Sequence, residues 1–193
     1  MIIGLSGYAR AGKDEAAKVL VQEFGFTRLA FADKLRDCLA ALDPLVAPTP
    51  EGYFVRPKNP VRLSEVLDIY GWDGYKNSMY ADEIRRLLQR LGTEVGREQL
   101  GDNVWVDAVL NQTDPGKDYV IADTRFPNES LAIEERGGTI WRITRAGIGP
   151  ANEHKSETGL DDWPWTLEIH NDGSLESFKD TVRALYREEY ACA

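Results

Sequence analysis

The chain has 193 residues, 42% hydrophobic and 28% charged, with a formal net charge of −9 from 32 acids against 23 bases. That length suffices for one α/β domain with a buried core and an insertion, and the acidic balance disfavours a general DNA or RNA binder, which needs a basic face. No apolar stretch approaches the ~20 residues of a membrane span, the apolar run from Met1 to Leu5 is too short and lacks the basic lead of a signal peptide, and Cys38 and Cys192 are too few and scattered for a disulfide framework or zinc site, so a reducing cytoplasm is the expected location.

The run "IIGL" predicts a buried strand, and "GKDEAAKVLVQEF" a helix with Val19, Leu20 and Phe24 inward. "TRLAFA" reads as a second short strand, followed by a helix over "DKLRDCLAAL" with Asp33 as its N-cap. Between Asp43 and Pro60 the prolines Pro44, Pro48, Pro50, Pro57 and Pro60 break any helix and predict an exposed loop or short hairpin. "VRLSEVLDIYG", "YADEIRRLLQRLG" and "NVWVDAVLNQ" carry three further helical patterns. "DYVIAD" predicts a strand, and "PNESLAIEERGG" a helix with Pro127 in its first turn and Gly137-Gly138 at its end. "TIWRITR" is a strand, residues 146–164 a loop, "TLEIHN" a last strand, and "LESFKDTVRALYREEY" a closing helix. The alternation predicts an α/β fold: a five-stranded parallel sheet with helices on both faces and a ligand at the carboxyl ends of its strands. The mainly helical stretch at about 43–112 is expected to form a second lobe within this single domain.

Gly7-x4-Gly12-Lys13 has the spacing of a phosphate-binding loop, and it stands between an apolar strand and a helix. The backbone N–H groups of Tyr8, Ala9, Arg10, Ala11, Gly12, Lys13 and Asp14 can wrap the terminal phosphates of a nucleoside triphosphate, and the helix N-terminus adds positive potential. Lys13 would bridge the outer phosphate oxygens. The spacing does not fit G-x-G-x-x-G, so no dinucleotide cofactor is expected. Asp14 stands where the usual pattern has Ser or Thr. The helix dipole alone favours an acid there, by ~0.3–1 kcal/mol. Beside a triphosphate, that carboxylate would instead hold Mg²⁺. Asp123 at the end of "YVIAD" is the second expected metal ligand, with a helix cap or turn as the alternative role. Arg125 would project into the same cleft, against the alternative of a surface ion pair.

The blocks "GYARAGKD", "LGTEVGRE…GDNVWVDAV", "DTRFPNE", "WRITR" and "HKSE…NDGSLE" occur in this order across nearly the whole chain. Together they resemble the bacteriophage deoxynucleoside monophosphate kinases, a branch of the P-loop nucleoside monophosphate kinases. The resemblance implies a P-loop NTPase-like three-layer α/β/α sandwich, with an acceptor-binding helical lobe and a lid-like loop at about 146–164 that includes His154, Ser156 and Glu157. It implies Mg²⁺-dependent transfer of the terminal phosphoryl group of ATP to a deoxynucleoside monophosphate. It places the acceptor in the lobe that carries Arg90, Glu94 and Arg97. Asp14 is itself similar to that branch, whereas several relatives have Thr where Glu15 stands, which leaves Asp14, Glu15 and Asp123 open as metal contacts.

Phosphoryl transfer needs two aligned phosphates, a metal, and cations to spread the developing charge. Lys13, Arg10, Arg125 and Arg145 are the expected catalytic cations, with Arg142 beside Arg145 at the same strand end. Arg36, Arg90 and Arg97 are candidates for the acceptor phosphate. Trp72, Trp105, Tyr75 and Phe31 are candidates for stacking on a base, each weighed against simple core packing. Asp33, Glu94 and Asp107 could read base edges or the sugar. Scattered bases in an acidic chain suit two small anionic ligands better than a polymer; a monomer or homodimer is expected. Dephospho-coenzyme A kinase, a phosphomevalonate kinase type and a nucleotide-dependent switch are the alternative readings.

Overall fold

In chain order the elements are β1 (Ile2–Ser6), α1 (Lys13–Phe24), β2 (Thr27–Leu29), α2 (Phe31–Leu42), β3 (Leu45–Val46), β4 (Val61–Arg62), α3 (Leu63–Gly74), a short 3₁₀ turn (Tyr75–Asn77), α4 (Ala81–Arg90), a π-helix (Leu91–Leu100), α5 (Val104–Leu110), β5 (Tyr119–Ile121), α6 (Pro127–Glu134), β6 (Thr139–Thr144), β7 (Leu167–His170) and α7 (Leu175–Tyr190). They come from a computed structural model that describes residues 1–48, 59–150, 158–165 and 167–190. His154, Ser156, Glu157, Pro50 and Pro57 lie outside the described residues.

The five expected parallel strands form one sheet in the order β2-β5-β1-β6-β7. The chain leaves β1 to build one side with β2 and β5, then returns to build the other with β6 and β7. Such a reversal opens a crevice at the carboxyl ends of the strands, and β1 runs straight into Gly7 there. Successive residues of β1 point to opposite faces. Ile3 and Leu5 pack with Ala16, Leu20, Phe178 and Val182 of α1 and α7. Ile2 packs with Val106, Val109, Leu110, Ala132 and Ile133 of α5 and α6. Helices therefore cover both faces, which is why the strand reads as an unbroken apolar run. Ile3, Leu5, Leu20 and Ile133 are wholly buried, and each contributes roughly 2 kcal/mol of burial free energy.

Two expected boundaries move. "TRLAFA" is a strand only to Leu29; α2 begins at Phe31, whose backbone N–H donates to Asp123 Oδ1 at 2.8 Å. The cap therefore comes from a distant strand end, and Asp33 sits within the first turn of α2. The second compact unit spans Ala32–Trp105, not 43–112. It takes in nearly all of α2, and it stops before Val106 because Val106, Val109 and Leu110 join the core beneath the sheet.

The second unit has its own core of Leu39, Val46, Leu63, Val66, Tyr75 and Ile84. The proline-rich stretch is flanked by a two-stranded antiparallel hairpin, β3 with β4. After α4 the helix widens into the π-helix, where the N–H of Gly101 reaches Gly96 O. The widened turns carry Gly92 and Gly96, both buried. Trp105 fills the slot they leave: its Nε1 donates to Gly92 O at 2.9 Å, and a Cβ on Gly96 would lie 2.5 Å from that nitrogen. Among the described residues no helix is long and apolar enough to cross a membrane.

Candidate phosphate-transfer site

The loop between β1 and α1 has a shape that only its glycines permit. Gly7 has φ 136°, and a Cβ there would lie 2.1 Å from Ile143 O of β6. Gly12 has φ 121°, and a Cβ there would lie 2.5 Å from Asn171 Nδ2. Arg10, between them, is held at φ 68° although it is not glycine, a conformation that costs about 1 kcal/mol. Lys13 curls back over the loop: its Nζ donates to Gly7 O at 2.6 Å and Tyr8 O at 2.9 Å. An incoming phosphate oxygen would compete for this ammonium.

A cavity of about 300 Å³ opens beside the last half of the loop. Arg10, Lys13 and Arg145 line it, together with Asp14, Glu15 and Asn171. Three cations and two acids thus meet at the start of α1, whose dipole also favours an anion. The size is at the lower end of small-ligand pockets. Glu15 also pairs with Lys18 at 2.6 Å along the helix.

Arg125 stands elsewhere. It lines a second cavity of about 20 Å³, room for about one water, with Gly7, Tyr8, Thr124 and Arg142. Arg125, expected in the cleft of Asp123, lines the smaller cavity beside Gly7 and Tyr8, at the start of the loop, rather than the one beside Lys13. The segment "DTRFPNE" is built from reciprocal caps. Glu129, only 3% exposed, accepts the N–H groups of Arg125 at 2.7 Å and Phe126 at 3.0 Å, and Pro127 opens α6. Asp123 uses Oδ1 on the Phe31 N–H. A carboxylate has about four acceptor positions, so capping is compatible with ligating a metal. Among the described residues no three His, Cys, Asp or Glu side chains form a ready-made metal cage.

Tyr8 and Arg142 meet in a network that their spacing along the chain does not predict. Tyr8 OH donates to Asp161 Oδ1 at 2.7 Å, and Arg142 Nη1 donates to Asp161 O at 3.0 Å. The Arg142 guanidinium also lies 4.9 Å over the Trp165 ring. The hydrogen bond to Asp161, then burial, then the negative charge of Asp161 push the Tyr8 phenol above its ordinary value. Asn171, Asp161 and Glu129, whose side chains bond to residues in or beside the two cavities, are not singled out by the sequence either. Asn171 had one readable signal: an Asn-Asp-Gly turn directly after a parallel strand.

The expected acceptor residues fall into separate groups, all but Phe31 and Asp107 within the unit Ala32–Trp105. Asp33, Arg36 and Trp72 do come together: Arg36 pairs with Asp33 at 3.3 Å and lies 5.9 Å over the Trp72 ring, which meets Tyr75 edge-on at 5.8 Å. Arg90 and Glu94 pair with each other at 3.0 Å on the exposed surface, and Arg97 donates to Asp102 O at 3.2 Å. Trp105 and Phe31 are corrections. At 7% and 4% exposure both are core residues, and a Cβ on Gly96 would lie 2.5–2.6 Å from three Trp105 ring atoms, so core packing accounts for both without a base.

A deoxynucleotide monophosphate kinase of Enterobacteria phage T4 is 24% identical over 239 aligned positions, covering 95% of this chain and 99% of its own length. The same-named protein of Escherichia phage RB69 is 36% identical over 109 positions, covering 54% of this chain and 45% of its own length. A solved dephospho-CoA kinase from Campylobacter jejuni aligns over 97% of this chain and 96% of its own at 13% identity and TM-score 0.46. Residues 71–182, more than half of the chain and wholly outside the loop between β1 and α1, match the family model described as deoxynucleotide monophosphate kinase, and the chain belongs to that family.

Proposed function

We propose that this kinase transfers the terminal phosphoryl group of ATP to a deoxynucleoside monophosphate, giving the diphosphate and ADP. The observation that carries this reading is the meeting of Lys13, Arg10 and Arg145 around one cavity beside a glycine-shaped loop, in a member of this family. The donor's phosphates would lie along Gly7–Glu15, with Lys13 and the loop N–H groups on their oxygens. Arg10 and Arg145 would spread the charge that builds up on the transferred group. Arg125 would act from the start of the loop, where it lines the smaller cavity.

Asp14 and Asp123 would hold Mg²⁺, with Glu15 the third carboxylate near the loop. Mg²⁺ is commonly bound by one or two carboxylates, substrate phosphates and water, so this donor set fits it. When bound, the ion neutralises charge on the phosphates. The acceptor would be held by the unit Ala32–Trp105, through Arg36, Arg97 and Arg90 for phosphate and Trp72 for the base, with Asp33 and Glu94 near the sugar or base edges. The attacking group is an already ionised phosphate oxygen, so no side-chain base is required. A small-molecule acceptor rather than a nucleic acid, a monomer or homodimer, and action in a host cytoplasm complete the reading.

The test is release of ADP from ATP with each deoxynucleoside monophosphate, dephospho-coenzyme A and phosphomevalonate, with Mg²⁺ and with EDTA. At least one deoxynucleoside monophosphate should stimulate turnover strongly, and EDTA should abolish it. If none did, the reading would fail.

A further inference from the structure

The two residues that follow β7 hold both the phosphate loop and the backbone around Arg145. Asn171 Nδ2 donates to Ala11 O at 2.8 Å, a buried bond between residues far apart in sequence. The backbone N–H of Asn171 donates to Thr144 O at 2.8 Å. Asp172 Oδ1 accepts the backbone N–H of Ala146 at 2.6 Å. Thr144 and Ala146 are the neighbours of Arg145, and Ala11 immediately precedes Gly12-Lys13. One turn therefore pins the chain on both sides of Arg145 and just before Lys13, and these two cations line the same cavity.

We infer that Asn171 and Asp172 are positioning residues that set Lys13 and Arg145 across the donor cavity, and that Asn171 aims the Gly12 N–H at the donor's phosphates. This rests on reading that cavity as the ATP site. The C=O and N–H of a trans peptide point in opposite directions. With Ala11 O tied to Asn171, the Gly12 N–H turns to the other edge of the peptide, away from β7. A peptide next to glycine is otherwise free to reorient, so the side-chain tether keeps this donor aimed before the ligand arrives. A donor aimed in advance costs no reorganisation on binding. Gly12 and Asn171 are also matched in space, because any Cβ on Gly12 would displace the amide. Asp172 restrains the peptide on the far side of Arg145, and it is exposed, so its replacement should leave the fold intact.

The experiment measures ATP dissociation constants, KM for ATP and for the deoxynucleoside monophosphate, kcat and melting temperature for the wild type, Asn171→Ala, Asp172→Ala and Asp172→Asn. Asn171→Ala should weaken ATP binding about fivefold to tenfold, the effect of one buried hydrogen bond, with KM for the monophosphate within about twofold. Asp172→Ala should lower kcat by a similar factor. Asp172→Asn should recover most of it, because its amide oxygen still accepts from Ala146. ATP binding by Asn171→Ala within about twofold of wild type, or equal losses for both substrates, would overturn the role of Asn171. Unchanged kcat in Asp172→Ala would overturn that of Asp172. A wild type that failed to bind ATP would instead refute the donor-site reading itself.

Discussion

The hydroxyl of Tyr8 donates to Oδ1 of Asp161 at 2.7 Å, which ties the loop between β1 and α1 to a residue between β6 and β7. This bond raises the phenol's pKa above its ordinary value of 10.0, helped by burial and the Asp161 charge. A group whose folded pKa is raised contributes stability that is present below the unfolded pKa and lost as pH rises through the folded one. Denaturant unfolding at about pH 8 and about pH 11 should therefore show the wild type losing more stability between the two than Tyr8→Phe. Equal losses would mean that Tyr8 does not report on this contact.

Lys13 already touches Gly7 O and Tyr8 O, so its ammonium sits over the loop before any ligand arrives. Lys13→Ala should lower kcat by at least about 100-fold, the scale seen when a preorganised charge-stabilising donor is removed. Its melting temperature should stay close to wild type, because the lost bonds are local. Turnover that persisted would take the loop out of the mechanism.

Arg97 lies in the π-helix of the unit Ala32–Trp105, with its guanidinium on Asp102 O. Arg97→Ala should raise KM for the monophosphate more than KM for ATP, since the proposed acceptor residues are in that unit. Steady-state kinetics with each substrate varied in turn decides it; an equal effect on both, or none, counts against the assignment.

Gly96 faces the indole of Trp105, and an added methyl would lie 2.5–2.6 Å from three of its ring atoms. The indole is buried and bonded to Gly92 O, so making room for the methyl means shifting it against that bond. Gly96→Ala should destabilise the protein by about 1–3 kcal/mol, the usual cost of overpacking, despite alanine's better helix propensity. Gly101→Ala is not a usable control, since Gly101 has φ 120°; Gly116→Ala, in a turn with open space around it, controls for the added methyl but not for helix propensity. A Gly96→Ala variant as stable as Gly116→Ala would show that the slot can widen.

Glu129 accepts two backbone N–H groups at the start of α6 while almost wholly buried. Glu129→Ala should cost about 1–2 kcal/mol, the loss of a helix cap, and should lower kcat as well, because one of those N–H groups belongs to Arg125. Chemical denaturation and turnover together test this: a stability loss with unchanged kcat would separate the cap from the catalytic proposal.

The sheet, the glycine-shaped loop and the family are legible in local patterns of the chain. Unbroken apolar strands such as "IIGLS" and the helical period of α1 and α7 are local patterns imposed by burial on both faces of a parallel sheet. Gly7 and Gly12 are legible as glycine positions too, since a tight turn with φ 136° and 121° favours glycine within one short segment. The tertiary structure decided which side chains meet. Asp123 caps Phe31 from 92 positions away, and Asn171 reaches Ala11 from 160 positions away. It also decided which aromatics are core: Trp72 is half-buried beside Arg36, whereas Trp105 is enclosed by Gly92 and Gly96. Spacing along the chain records periodicity and turn geometry, but long-range partners are chosen by packing, and a tryptophan looks the same in sequence whether a glycine slot or a ligand will cover it.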